Sequence, residues 1–338
     1  MEIYELSQDG GVKRIERLPD LVRLVCAFGC FDGVHAGHRS LMSTAVEVAR
    51  NGGVHEGVLS SGAELAPAVW TFSEPVSKPW ILSVTERLSL CGRLGIRYAL
   101  CQRFEDVRTL SPEEFIFRLV SRCGLVWGVC GENFRFGYKG VGDPVRLNSC
   151  ICDSLERFCS VSGSAAVCVS KAVSVVGDVC ALGGIVSSTR IRSLLAEGRM
   201  EDAELLLGRP YSFVGAVLAG KQIGRTMSRP TANLVYSSDQ LVPKHGVYFT
   251  YCRVGGAVYR AVTNVGYRPT VNSDPNGVTC ETHLLDFFGL LYGERVEIIF
   301  VHYHRVEIAF ASVDELAKQI SDDVRCAGEF FDKREKAD

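Results

Sequence analysis

Gly29-Cys-Phe-Asp-Gly-Val-His-Ala-Gly-His38 decides the reading of this chain. It follows Leu21–Phe28 (LVRLVCAF), an apolar run of strand length, and leads into His38–Arg50, where Leu41, Ala45 and Val48 fall on one helical stripe. A glycine-rich turn in that position lies at the carboxyl end of a strand and the N-terminus of a helix. Open α/β sheets take ligands there, because exposed N–H groups and the helix dipole favour anions. Glycines let backbone approach a ligand closely, and His35 and His38 are placed to donate hydrogen bonds to phosphate oxygens. The implied chemistry is attack on an α-phosphate with pyrophosphate leaving, which needs positioning and charge stabilisation but no covalent enzyme step.

Working outward, strand-like and helix-like segments alternate through the first half. Ala66–Phe72, Arg97–Cys101 and Leu125–Cys130 read as strands, while Ser83-Val-Thr-Glu86 and Ser111-Pro-Glu-Glu114 read as helix starts. Parallel neighbours need crossover connections, so the pattern predicts a parallel sheet covered by helices. Two short helices follow, Ser188–Glu197 and Met200–Leu207, each ended by glycine. Beyond residue 208 short strands and turns predict an antiparallel sheet or small barrel: Phe213–Leu218, Gly246–Arg253, Ala257–Val265, Val278–Phe287 and Arg295–Tyr303. A last helix opens at Ser312 and is expected to bury Leu316, Ile320 and Val324.

Composition removes several classes. The 338 residues are 47% hydrophobic and 22% charged, which suits soluble globular domains and excludes a disordered chain. Lys plus Arg at 37 against Asp plus Glu at 39 gives a net charge of −2, without the global basic signature of a nucleic-acid or anionic-membrane binder. No secretory signal is visible at Met1–Gly11, and Lys171 and Asp178 interrupt the most apolar stretch, Ala165–Val186. Fourteen cysteines, with no C-x-x-C among them, sit mainly in apolar segments and read as free thiols of a cytoplasmic protein. Oligomeric state is not assigned.

The pattern G-x-F-D-G-x-H-x-G-H resembles the signature of nucleotidylyltransferases that share an HxGH element. Gly131-Glu-Asn-Phe-Arg-Phe-Gly137 and Ser187-Ser-Thr-Arg-Ile-Arg192 resemble further motifs of the bacterial bifunctional riboflavin kinase/FAD synthetase family. The resemblance implies a Rossmann-like α/β domain over residues 1–187, which transfers AMP from ATP to FMN. A helical phosphate-binding segment and linker follows at 188–207, then a mainly antiparallel β-barrel riboflavin kinase domain with a C-terminal helix at 208–334. In the first domain it makes His35 and His38 catalytic. Gly29, Phe31, Asp32, Gly33, Gly37, Asn133, Ser188, Thr189 and Arg192 become nucleotide-binding positions. Read from the residues alone, Ser188 caps a helix whose first turn offers hydroxyls, N–H groups and guanidinium to an anion.

The chain contains no G-x-x-x-x-G-K-[ST], so its second domain is not a P-loop kinase. Gly215–Arg225, Pro230-Thr-Ala-Asn233, Asn264–Thr270 and Glu281–Phe287 resemble riboflavin kinase in order. The likeness implies nucleotide binding at Gly220 and Gly224, Mg²⁺ and ATP at Thr231 and Asn233, and Glu281 as the base on the riboflavin 5′-hydroxyl. ATP, riboflavin and FMN are then the substrates. On the residues alone, Glu281 also reads as the wet face of a strand, and Pro230-Thr-Ala-Asn as a plain turn. Met227-Ser228-Arg229, Leu290 and His304–Phe310 depart from the family pattern. Two alternatives therefore stay open: an FAD synthetase with a degenerate kinase domain, and a non-catalytic flavin-binding module. Thr71–Pro79 stands where the family has its flavin loop, with looser spacing and no flavin contacts assigned.

Overall fold

The structure is a computed structural model describing all residues except 7–11, 14–21, 53–62, 77–78, 163–169, 219–230, 237–238, 268–277 and 337–338. It divides into two compact units, Met1–Lys78 with Ser83–Val186, and Pro79–Leu82 with Ser187–Asp338.

The first unit runs β1 (Glu2–Leu6), β2 (Val12–Lys13), β3 (Val22–Phe28), α1 (Ala36–Asn51), β4 (Glu64–Phe72), α2 (Val84–Arg93), β5 (Tyr98–Gln102), α3 (Phe104–Val107), α4 (Pro112–Cys123), β6 (Leu125–Gly131), α5 (Pro144–Ser162) and β7 (Val173–Val176), then a hairpin of β8 (Cys180–Ala181) and β9 (Gly184–Ile185). Six strands are parallel in the order β1-β5-β4-β3-β6-β7, with β2 antiparallel on the edge. Strand β3 is continuously buried after Arg23, as a two-sided parallel core requires. The chain fills one side of β3 with β4 and β5, then crosses to β6 and β7 on the other. That reversal makes the carboxyl ends of β3 and β6 the switch point of the sheet.

Local chemistry sets the helix ends. The Ser83–Glu86 capping box forms in full and starts α2. Ser111 accepts from the Glu114 N–H with Pro112 at the first helical position of α4. Sequence patterning missed α5 and β7, which cover and extend the β6 side.

In the second unit, α6 (Ser188–Glu197) and α7 (Met200–Leu207) precede β10 (Tyr211–Ala216), β11 (Thr231–Val235), β12 (Gly246–Val254), β13 (Ala257–Tyr267), β14 (Val278–Leu284), β15 (Arg295–Arg305) and α8 (Val313–Arg334). The strands are antiparallel in the order β10-β15-β12-β13-β14-β11. Leu218, just past β10, donates its N–H to Asn233 O at 2.8 Å, so the two end strands meet and close the barrel. Its buried face carries Phe213, Cys252, Cys280 and Phe300. A hydroxyl ladder crosses it, Thr250 to Thr263 at 2.7 Å and Thr263 to Thr282 at 2.9 Å, so these buried polar groups satisfy one another.

Helix α8 uses its expected face, but full burial comes further along it. Ala327 and Phe331 are the apolar residues it buries, against Phe249 and Val301, whereas Leu316, Ile320 and Val324 stay half-buried. Its first two turns leave the sheet less covered, and contact concentrates at the C-terminal half. Pro79–Leu82 pairs within this unit: Trp80 N–H donates to Asp239 O at 2.6 Å, and Leu241 N–H to Trp80 O at 2.8 Å.

Candidate functional site

The first site is the turn between β3 and α1. Phe31 (φ 51), Gly33 (φ 84) and Val34 (φ 44) all adopt left-handed backbone. Val34 is β-branched, so that conformation is strained. It persists because the surroundings fix it, Phe31 and Val34 being 0% and 1% exposed. The Phe31 ring is therefore the floor of the turn, and only its backbone is left to a ligand. Asp32 is likewise covered.

His35 is the N-cap of α1: its Nδ1 accepts from the His38 N–H at 3.3 Å. An accepting Nδ1 carries no proton, so the neutral ring bears its hydrogen on Nε2 and donates from there. The two imidazoles stack with centroids 3.6 Å apart and planes 16° apart, and the Phe31 ring meets His38 edge-on. Two unit charges 4 Å apart repel by about 4 kcal/mol near a protein surface, enough to keep this pair from holding two protons. Burial, then His35, then Arg87 push the His38 pKa well below its ordinary 6.5, which favours the neutral ring. Its Nδ1 is buried without a hydrogen-bond partner in the described structure, an unmet polar atom at the ligand-binding end of the sheet. Gly37 is constrained by the same ring: a Cβ there would stand 3.3 Å from His35 Cε1 and Nδ1.

Asn133 follows β6, on the other side of the switch point, exposed and donating to Asp178 Oδ2 at 3.4 Å. Asp178 was not singled out in the sequence; no motif spacing marks it. Arg87 and Thr71 were missed for the same reason, although both donate to the Cys30 carbonyl inside the turn.

The helix start at Ser188–Arg192 belongs to the second unit, and its cap differs from expectation. Ser187, not Ser188, is the N-cap, with its hydroxyl accepting from the Arg190 N–H at 3.3 Å. Ser188 and Thr189 are the first two helical residues, so their hydroxyls are not needed for capping. Arg192 donates to Pro79 O at 3.2 Å, which commits part of its guanidinium to the protein backbone.

On the barrel, β11 and β14 set the second site by register. Asn233 lies opposite Glu281, which lies opposite Asn264 of β13, and Thr231 lies opposite His283. Directly opposed residues bring their Cβ atoms within about 5 Å. Thr231, Asn233, Glu281, His283 and Asn264 share the half-buried face, while Ala232, Leu234 and Thr282 point into the core. Thr231–Val235 is thus a strand, which overturns the plain-turn reading of that segment. Glu307, also missed in the sequence, accepts from Asn264 Nδ2 at 3.0 Å. Its carboxylate occupies the space over Gly266, where any Cβ would collide with it. Gly220, Gly224, Pro230 and Met227–Arg229 lie outside the described residues. A cleft lined by Pro112, Glu113, Asp143 and Arg146 lies at the starts of α4 and α5.

A β3-turn-α1 cradle with paired imidazoles at the switch point defines a nucleotidylyltransferase of the HxGH type, and the second unit adds an antiparallel barrel with a carboxylate row. Comparison with known proteins agrees for both halves: residues 19–161 match the FAD synthetase family model and residues 207–331 the riboflavin kinase model. Proteins named bifunctional riboflavin kinase/FMN adenylyltransferase are similar along nearly the whole chain. The one from Pseudomonas fluorescens is 35% identical over 90% of this chain and 91% of its own. The one from Escherichia coli is 32% identical over 91% and 92%, and that from Listeria monocytogenes 30% over 93% and 94%. The chain belongs to the bifunctional riboflavin kinase/FMN adenylyltransferase family. A solved structure from Streptococcus pneumoniae described as a macrolide-efflux protein superposes with a TM-score of 0.75 at 25% identity, covering 97% of this chain and 99% of that one. Among the described residues no helix is long and apolar enough to cross a membrane.

Proposed function

We propose that the chain makes FAD from riboflavin in two steps, each in its own unit. In the second unit the riboflavin 5′-oxygen attacks the γ-phosphorus of ATP. Glu281 takes the hydroxyl proton, and ADP leaves as the bond to the γ-phosphoryl breaks. In the first unit a phosphate oxygen of FMN attacks the α-phosphorus of ATP and pyrophosphate leaves. The His35 Nε2–H and the neutral His38 stabilise the developing charge on the phosphate oxygens, and the α1 N-terminus adds its dipole. The observation that carries this reading is the stacked imidazole pair at the N-terminus of α1, beside the switch point.

Thr231 and Asn233 offer hard oxygen donors on the face that holds Glu281, a set that fits Mg²⁺ shared with substrate phosphates. Bound there, Mg²⁺ would neutralise phosphate charge; the protein's own part is to orient ATP and to hold the base in register. Ser188 and Thr189, with Arg192, form a second anion-binding helix start. The nine buried free thiols among the described residues suit a cytoplasmic enzyme.

The test is to supply purified protein with Mg²⁺ and ATP, with riboflavin in one reaction and FMN in another, and to separate the flavins by chromatography. FMN and then FAD should appear from riboflavin, and FAD from FMN. FAD from FMN but no FMN from riboflavin would leave only the synthetase; neither product would remove the assignment of both sites.

A further inference from the structure

Arg87 of α2 is the largest fully buried side chain among the described residues, at 0% exposure. A guanidinium keeps its proton at any ordinary pH, and a buried charge persists only where fixed partners compensate it. Two of those partners are main-chain carbonyls at the ends of adjacent parallel strands. Arg87 donates to Cys30 O at 2.8 Å, inside the cradle, and to Phe72 O, at the end of β4. Thr71 Oγ1 donates to the same Cys30 carbonyl at 3.0 Å. Asp32, in the cradle, is close enough to Arg87 to favour its charged form electrostatically. One planar fork therefore ties the turn that carries Phe31, Asp32 and Gly33 to the neighbouring strand, and leaves a positive charge beneath it.

We infer that Arg87 is a positioning residue for adenylyl transfer, holding the Cys30–Gly33 turn in its strained form while its charge underlies the imidazole pair. The inference rests on adenylyl transfer at the cradle. The guanidinium reaches both carbonyls at once, whereas an ammonium keeps the charge with a single donor point and so holds the turn less completely. The charged and titratable groups facing the His38 ring are His35 from the same turn and Arg87 from α2, with Asp32 beside Arg87.

The test compares Arg87→Met with Arg87→Lys in the full chain. FAD formation from FMN and MgATP is followed as kcat and as the pH profile of kcat/KM, with riboflavin phosphorylation as the internal control. Misplacing the turn by about 1 Å should lower kcat by about 100-fold in Arg87→Met. Loss of the cation should also move the acidic limb upward, by a part of the His38 shift only, since burial and His35 remain. Arg87→Lys should recover at least about tenfold and keep the limb where the parent has it, because the charge remains. Both variants should phosphorylate riboflavin at the parental rate. An Arg87→Met protein with kcat within about threefold of the parent overturns the inference, as does a loss that Arg87→Lys shares in full with the limb unmoved in both. Should Arg87→Met not fold, Arg87→Lys combined with Thr71→Val decides. Both act on one carbonyl, so their losses should fall short of additive, and strict additivity overturns the inference. A parent that makes no FAD from FMN would instead remove the reading of the cradle itself.

Discussion

The two sites are built by opposite means. The cradle of the first unit is one contiguous turn, strained at Phe31 and Val34, closed by its own N-cap and braced from below by Arg87. The barrel site has no such turn among the described residues. Its Asn233, Glu281 and Asn264 come from three strands and meet only because the register sets them opposite one another. A loop site fails when its support shifts, and a sheet site fails when its register does. A slip of one residue between β11 and β14 would turn Asn233 into the core.

Substitutions that remove one chemical group without moving the backbone break the comparison most directly. Glu281→Gln keeps the size and register but cannot take a proton. FMN formation should fall by about 10² to 10⁴-fold, while FAD formation from supplied FMN stays at the parental rate. Chromatographic assays of the two half-reactions read both. His38→Ala should do the reverse, lowering FAD formation by about 10² to 10³-fold, as loss of one oxyanion donor does elsewhere. A variant of either kind that silences both reactions while its melting curve is unchanged would show that the two sites are not independent.

The same contrast explains what the sequence disclosed. The cradle was legible because strand, turn, histidines and helix are adjacent in the chain, and their order alone implies the switch-point location. Arg87 was not, because it lies 57 residues from Cys30 and looks like any helical arginine, a residue type mostly exposed. Glu281 was singled out, but its cross-strand neighbour Asn264, and the Glu307 that Asn264 binds, required the pairing of β13 and the path after β15. Helix α5 was missed although Leu147, Cys150, Ile151 and Leu155 are buried at helical spacing, since interleaved Ser and Cys blur that stripe. The face of α8 was legible from its period, but how far along it burial is complete was not, since Ala327 and Phe331 are covered by Phe249 and Val301, residues distant in the sequence.

Titration sharpens the cradle side alone. The folded pKa of His38 is depressed, chiefly by burial. Below about pH 6.5 an unfolded imidazole gains a proton that folded His38 still refuses. Its contribution to stability is therefore present above 6.5 and is lost as pH falls from there through the folded pKa. FAD formation should correspondingly outlast the ordinary imidazole range on the acid side. Urea melts and initial rates between about pH 5 and 7 check both; a rate that halves at 6.5 would mean that His38 titrates normally.

The smallest expected effect separates capping from ligand binding at α6. Ser187 and Ser188 are adjacent and chemically identical, so only the backbone assigns their roles: Ser187 is extended at φ −148 and caps, while Ser188 is already helical. Ser187→Ala removes the acceptor for the Arg190 N–H and should destabilise the second unit by about 1 kcal/mol. Ser188→Ala removes no cap, and alanine is the better helix former, so the melting midpoint should hold or rise slightly. If Ser188 serves the anion instead, its loss should raise the KM for ATP in FAD formation about 3- to 10-fold, the worth of one typical hydrogen bond. A melt that penalises Ser188→Ala and spares Ser187→Ala would return the cap to Ser188 and leave the α6 hydroxyls without a role in anion binding.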